Sequence, residues 1–222
     1  MDYQFDFGAL LQYSDLFLQG TAVTLGLTAV ACFFGLSLGV GGAAGLRSKH
    51  RLLQKLVTAY VELIRNTPFI VQMFFFFFGL PSLGVRLNAL EAAALAMIIN
   101  LSAYAIEIVR AGLEAVPLGQ IEAATSLGMR PIPIFFLVEL PQAIANIYPA
   151  LVGQITITML ESAVVSQIAV VDLTHVADFI QSRNFRSFET YLVVTLIYFM
   201  LAIAIRRLLN FAGRGLFAGR VR

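Results

Sequence analysis

Two sets of polar side chains recur at matching offsets within apolar stretches: Asn100, Tyr104 and Glu107 at i, i+4 and i+7, and Gln154, Thr158 and Glu161 at the same spacing. On a helix each set falls on one face. A charge at the centre of a membrane helix costs about 2.5–3.5 kcal/mol on insertion scales, so such residues need compensation. If both stripes face one hydrated cavity, they form a path for a polar solute. The same residues also serve as interhelical hydrogen-bonding glue, and Glu107 has Arg110 one turn away as an ion-pair partner. Glu62 and Arg65, at i and i+3, suggest an ion pair that steadies a gate or simply the helix, with Arg65 near enough to the membrane edge to snorkel.

Other chemistries find no support. A phosphate loop needs Gly before Lys, whereas Lys49 and Lys55 follow Ser48 and Gln54, so nucleotide hydrolysis belongs elsewhere. His50 and His175 lack metal-ligand spacing, and the lone Cys32 in an apolar span has no disulfide partner. The spans hold neither a paired Asp nor a Ser-His arrangement, which argues against an intramembrane enzyme. The sequence therefore points to no catalytic residue, metal or cofactor.

These residues must be positioned by helices in lipid. Of 222 residues, 59% are hydrophobic and only 13% charged, with a mean hydropathy of +0.84; soluble domains carry about 25% charged residues. The apolar stretches approach the roughly 20 residues a helix needs to cross a bilayer core of about 30 Å. Five spans are expected, at about 17–45, 57–80, 89–110, 144–171 and 190–209, in a single all-α membrane domain over 1–222. Glu161 then sits roughly 15 Å deep. Asp2, Asp6 and Asp15 precede the first span, where a signal peptide would be basic, so it should remain uncleaved.

Basic residues cluster after span one (Arg47, Lys49, Arg51, Lys55), between spans three and four (Arg130) and at the C-terminus (Arg206, Arg207, Arg214, Arg220, Arg222). The positive-inside rule places these segments in the cytoplasm, with the N-terminus outside, and patches of this kind reflect topology and not nucleic-acid binding. Gly35/Gly39 and Gly41/Gly45 have GxxxG spacing, permitting close approach to a helix of this chain or of a second subunit. The Phe74 to Phe78 run covers every face of its helix and reads as packing and lipid-facing surface. Between about Ala111 and Gln142 runs a cytoplasmic connection too apolar for a linker and too short for a domain. Pro117 favours a helix start, Gln120 to Leu127 reads as a short helix, and Gly128 supplies a left-handed end.

Glu122-Ala123-Ala124, followed by Gly128 and then by Leu140-Pro141, resembles the EAA loop of ATP-binding-cassette importer permeases. The segment Tyr60-Val-Glu-Leu-Ile-Arg-Asn-Thr-Pro-Phe-Ile-Val-Gln72 is similar to the signature of the polar amino acid subfamily, and the stretches from Asn100 to Gly128 and from Ser162 through Val171-Asp172-Leu173 extend the likeness over most of the chain. The resemblance implies a type I importer permease fold in a bacterial inner membrane. It also implies a second permease subunit, identical or related, two cytoplasmic ATPase subunits that bind the ATP, an external solute-binding protein and an amino acid as solute. By the same resemblance Gln120, Glu122, Ala123, Ala124, Leu127 and Gly128 couple to the ATPase, and Asn100 and Glu161 match residues that contact the solute. Tyr104, Gln154 and Thr158 join them through the shared stripes. Many members have a Lys-Asp pair where this chain has Leu160-Glu161, which alters the local charge balance. The rival reading is a self-sufficient channel or ion-coupled carrier, against which stands the lack of a visible inverted repeat.

Overall fold

The computed structural model describes residues 4–217; Asp2, Arg220 and Arg222 lie outside the described residues. A 3-10 turn (Gly8–Tyr13) leads into α1 (Ser14–Leu46), followed by α2 (Arg51–Arg65) and α3 (Phe69–Phe74). The chain then passes through a π turn (Phe75–Gly79) and a 3-10 turn (Leu80–Leu83) to α4 (Ala89–Glu114). Next come α5 (Leu118–Ser126) and α6 (Pro131–Ile134), the latter continuing through a second π turn (Phe135–Glu139) into α7 (Leu140–Glu161) and a 3-10 turn (Ser162–Ile168). α8 (Leu173–Asn184) and α9 (Ser187–Phe217) complete the fold.

Among the described residues, four stretches are long and apolar enough to cross a membrane: Gly8–Leu46, Ala89–Glu114, Pro131–Ile168 and Ser187–Arg214. The expected second span, about 57–80, is not one straight helix. Arg51–Arg65 and Phe69–Leu83 meet at 107°. Pro68 disfavours helical geometry at the residue before it and is itself extended, with ψ of 138°. The freed groups are recovered locally: the Asn66 side chain donates to the Glu62 carbonyl at 2.7 Å and the Thr67 hydroxyl to that of Leu63 at 2.9 Å.

α1 and α4 run parallel, because Gly35, Gly39 and Gly42 meet Leu101, Ala105 and Ile106 in the same order. The bent α2–α3 pair must therefore return the chain to the end at which α4 begins. A Cβ at Gly39 would fall inside Ala105, so the glycine permits the approach. Gly41, by contrast, faces open space, and Gly45 has only ordinary contacts with α2, so the second GxxxG spacing is not a close-packing motif within this chain. α7 packs antiparallel on α4, with Ile147 seated over Gly112. Small residues Ala92, Ala93, Ala96, Ala103 and Ala105 keep α4 central and buried.

The expected span at about 144–171 begins earlier, since the π turn carries helix from Pro131 into α7, and it stops at Ala169, which adopts a left-handed φ of 61°. The unforeseen α8 begins at Asp172, whose carboxylate accepts the His175 backbone N–H at 2.9 Å and the Tyr198 hydroxyl at 3.2 Å. Burial pushes this carboxyl above the usual range, against the opposing pull of those hydrogen bonds. Opposite, where α1 ends, Arg47 Nη1 donates to the buried Glu139 Oε2 at 2.7 Å, tying α1 to the start of α7.

Gly39→Leu should lower the melting midpoint of the purified protein by the cost of overpacking, about 1–3 kcal/mol. Gly41→Leu on the same helix should cost less than about 0.5 kcal/mol. Equal losses would contradict the glycine seam.

Candidate functional site

Three sectors can be distinguished around α2. Val61 and Ile64 are buried, Leu52, Leu56 and Leu63 are exposed, and Gln54, Thr58, Glu62 and Arg65 face a cleft of about 730 Å³. The far wall is the second half of α4, with Tyr104, Glu107 and Arg110. Tyr60 sets the crossing: its hydroxyl donates to the Ile99 carbonyl at 2.8 Å and shares a hydrogen bond with Ser102.

Glu107 is the centre of the cleft's electrostatics. Arg110 grips it through two bonds, Nε to Oε1 at 3.1 Å and Nη2 to Oε2 at 2.8 Å, and reaches Glu114 with Nη1 at 2.8 Å. Arg65 approaches Glu107 Oε2 at 3.5 Å and lies over the Tyr104 ring, 5.3 Å from its centroid. The expected Glu62–Arg65 pair does not form. α2 crosses α4 so that Arg65 points at a half-buried carboxylate, which attracts it more strongly than the exposed Glu62 on its own helix.

The two polar stripes separate. Tyr104 and Glu107 line the cleft, but Asn100 is buried and donates to Gln72 Oε1 at 3.1 Å. Gln72 in turn donates to the carbonyls of Ile64 at 2.7 Å and Thr67 at 3.0 Å, and to the Thr67 hydroxyl at 2.8 Å. This network clamps the α2–α3 bend to α4. On α7, Gln154 and Thr158 are buried and outside the cleft wall, and the Thr158 hydroxyl finds no partner among the described residues. Glu161 is half-buried at the end of α7.

At the end shared by Arg47 and the C-terminus of α4, the chain projects a hairpin. α5 starts after Pro117, and its last turn closes with Gly128 at φ of 76°, where a side chain would be strained. Ala124 is buried and anchors the hairpin on α6 and the π turn, while Gln120, Glu122, Ala123 and Gly128 are exposed and Leu127 is 84% exposed. A short helix thus holds out apolar side chains, Leu127 with Leu118, from the end of the bundle.

Residues 31–217 match the family described as binding-protein-dependent transport system inner membrane component. The probable glutamine ABC transporter permease protein GlnM of Bacillus subtilis (strain 168) is 36% identical over 188 residues, 85% of this chain and 87% of its own length. The arginine transport system permease protein ArtQ of the same bacterium is 33% identical over 210 residues, 94% of each chain. A chain in a crystal structure of an amino acid ABC transporter with histidines is 40% identical, with a TM-score of 0.90 over 96% of this chain and 99% of that one. The chain belongs to the amino acid ABC transporter permeases. The inward-facing MetNI methionine ABC transporter shares the fold, with a TM-score of 0.77 at 22% identity.

As an ABC transporter permease, the protein is a multi-pass inner-membrane component without the ATPase domain, working in a binding-protein-dependent transport system. This family assignment displaces the self-sufficient channel or carrier. Sequence reasoning missed Gln72 as the hub of the permease's α2–α3 bend; the available signal was a single amide in the apolar run from Phe69 to Phe78. It also missed Glu139, a carboxylate next to the Leu140-Pro141 pair.

A double-mutant cycle on the melting midpoint of the purified permease should give a larger coupling for Glu107–Arg110 than for Glu107–Arg65. The latter should lie at about 0.2–1 kcal/mol, as for partly exposed pairs. A reversed order would contradict the bidentate arrangement.

Proposed function

We propose that this chain is one of two permease subunits, the second identical or related, in an ATP-driven importer of polar amino acids in a bacterial inner membrane. Its N-terminus is outside and its C-terminus cytoplasmic. The observation that carries the reading is the α5 hairpin, an exposed helix bounded by Pro117 and Gly128 and anchored by the buried Ala124, at the end of the bundle that also bears the basic segment from Arg47 to Lys55. A cytoplasmic ATPase dimer engages one hairpin per permease, and an external solute-binding protein delivers the amino acid at the opposite end. The relatives named for glutamine and arginine support the solute class.

In this reading Gln120, Glu122, Ala123, Ala124, Leu127 and Gly128 form the coupling element. Movement of the ATPase reaches α4 through residues 115–117 and α7 through the π turn, so both helices bearing the polar stripes respond together. Asn100, Tyr104, Gln154, Thr158 and Glu161 form the solute path; support comes from their position within spanning helices and from the unpartnered Thr158 hydroxyl. Arg65 acts at the cytoplasmic gate by its hold on Glu107, with Glu62 beside it in the cleft.

Gentle affinity purification followed by mass spectrometry should recover an ATPase and show whether the second permease is a copy; a chain that came out alone yet moved solute in liposomes would overturn the proposal. Gly128→Val places a branched residue where φ is left-handed, at a cost of at least about 1–2 kcal/mol. It should insert normally and lose solute-stimulated ATPase activity, and undiminished coupling would remove the hairpin from the mechanism. Glu161→Gln should change uptake or solute preference while leaving ATPase assembly intact. Wild-type uptake across several amino acids would take Glu161 out of the path.

A further inference from the structure

A second cavity, of about 610 Å³, lies between α1, α4 and α7 on a different side from the polar cleft. Its walls are apolar throughout, with one exception. Along α1 and the residue that caps it the lining residues are Leu36, Val40, Ala44 and Arg47, a single stripe, and the cationic residue stands at one end of it. From Leu36 to Arg47 the stripe measures about 16 Å at 1.5 Å per residue, close to half the roughly 30 Å bilayer core. The groove therefore has the depth of one leaflet's hydrocarbon, with its charge at headgroup level.

The chain that leaves this end of the groove is basic. Arg47 is followed within eight residues by Lys49, Arg51 and Lys55, all exposed, and no acidic residue occurs between Asp15 and Glu62, although Glu139 is paired with Arg47 itself. Glu139 accepts a hydrogen bond from Nη1 of Arg47, which holds the guanidinium at this end of the groove while the side chain stays 48% exposed. Phosphate is recognised by such a held guanidinium more specifically than by a mobile ammonium. An acyl chain gains little hydrophobic energy on passing from the bilayer into an apolar groove, so packing holds the chain and the basic residues supply the preference for an anionic headgroup.

We infer that this groove is a binding site for an anionic phospholipid of the inner leaflet, one acyl chain lying along Leu36, Val40 and Ala44 and the headgroup phosphate held by Arg47 with Lys49 and Arg51. The inner-leaflet placement rests on the topology proposed above; the chemistry of the groove does not. The groove also includes Phe135, the first residue of the π turn leading out of the coupling hairpin, and Leu140, the residue after that turn. An occupied groove thus braces α1 against the segment through which the hairpin drives α7, and anionic lipid should raise coupled ATPase activity.

The test is native mass spectrometry of the intact transporter complex after equilibration with an equimolar mixture of phosphatidylglycerol and phosphatidylcholine. Wild type should retain phosphatidylglycerol preferentially. Lys49→Gln and Arg51→Gln, both at exposed positions, should each reduce that preference by about fivefold. Arg47→Gln combined with Glu139→Gln, which removes both members of the buried pair, should abolish it while zwitterionic lipid is still retained. Ala44→Phe should expel lipid of either class. Retention in the proportions of the mixture, or a photoreactive group at Val40 that cross-links to a second permease in place of lipid, would overturn the lipid site. A cysteine at Lys49→Cys labelled only from the external side would overturn the inner-leaflet placement and the topology together; cytoplasmic labelling with unselective retention would overturn the lipid site alone.

Discussion

The close approach of α1 to α4 determines where almost every other element can go. In lipid there is little hydrophobic drive to bring helices together, so contact depends on packing and on the absence of side-chain bulk. Gly35, Gly39 and Gly42 remove that bulk from α1, and a run of alanines removes it from α4. With α4 held at the centre, α7 docks on its other side through Gly112, and α2 crosses its middle through Tyr60. The cleft and the apolar groove are spaces left beside this packed centre.

Much of the bundle was legible because lipid imposes a simple rule on sequence: backbone polar groups must be satisfied internally, so apolar stretches of sufficient length become helices. The short helix ending at Gly128 was legible for a different reason, since proline and glycine act locally and leave the same signature in any fold. The break at Thr67-Pro68 carried a local signal too, but hydropathy averaged over a window conceals a bend of 107°. α8 escaped because it is amphipathic, short and started by Asp172, whose cap is visible only when the apolar pattern after it is read at helical period.

Side-chain pairing was the least legible level. Glu62 and Arg65 satisfy the spacing rule for an ion pair, and the rule fails because a second helix offers Arg65 a more buried acceptor. Asn100 and Glu107 share a stripe in sequence, yet one bonds to an amide at the α2–α3 bend and the other binds two arginines. Spacing along one helix says which face a residue occupies. What that face meets depends on the crossing angle of the neighbour, and no single helix encodes it.

The π turn at Phe135–Glu139 has a consequence for phase. Widening one turn by a residue rotates everything beyond it by about 100° relative to an uninterrupted α-helix. The azimuth of Gln154, Thr158 and Glu161 relative to the hairpin is therefore a counted quantity, set by how many residues separate Pro131 from Glu161 and by whether that turn is wide or narrow. If the turn relaxed to ordinary α geometry, α7 would have to twist like a key in a lock, with the hairpin at one end and the polar stripe at the other.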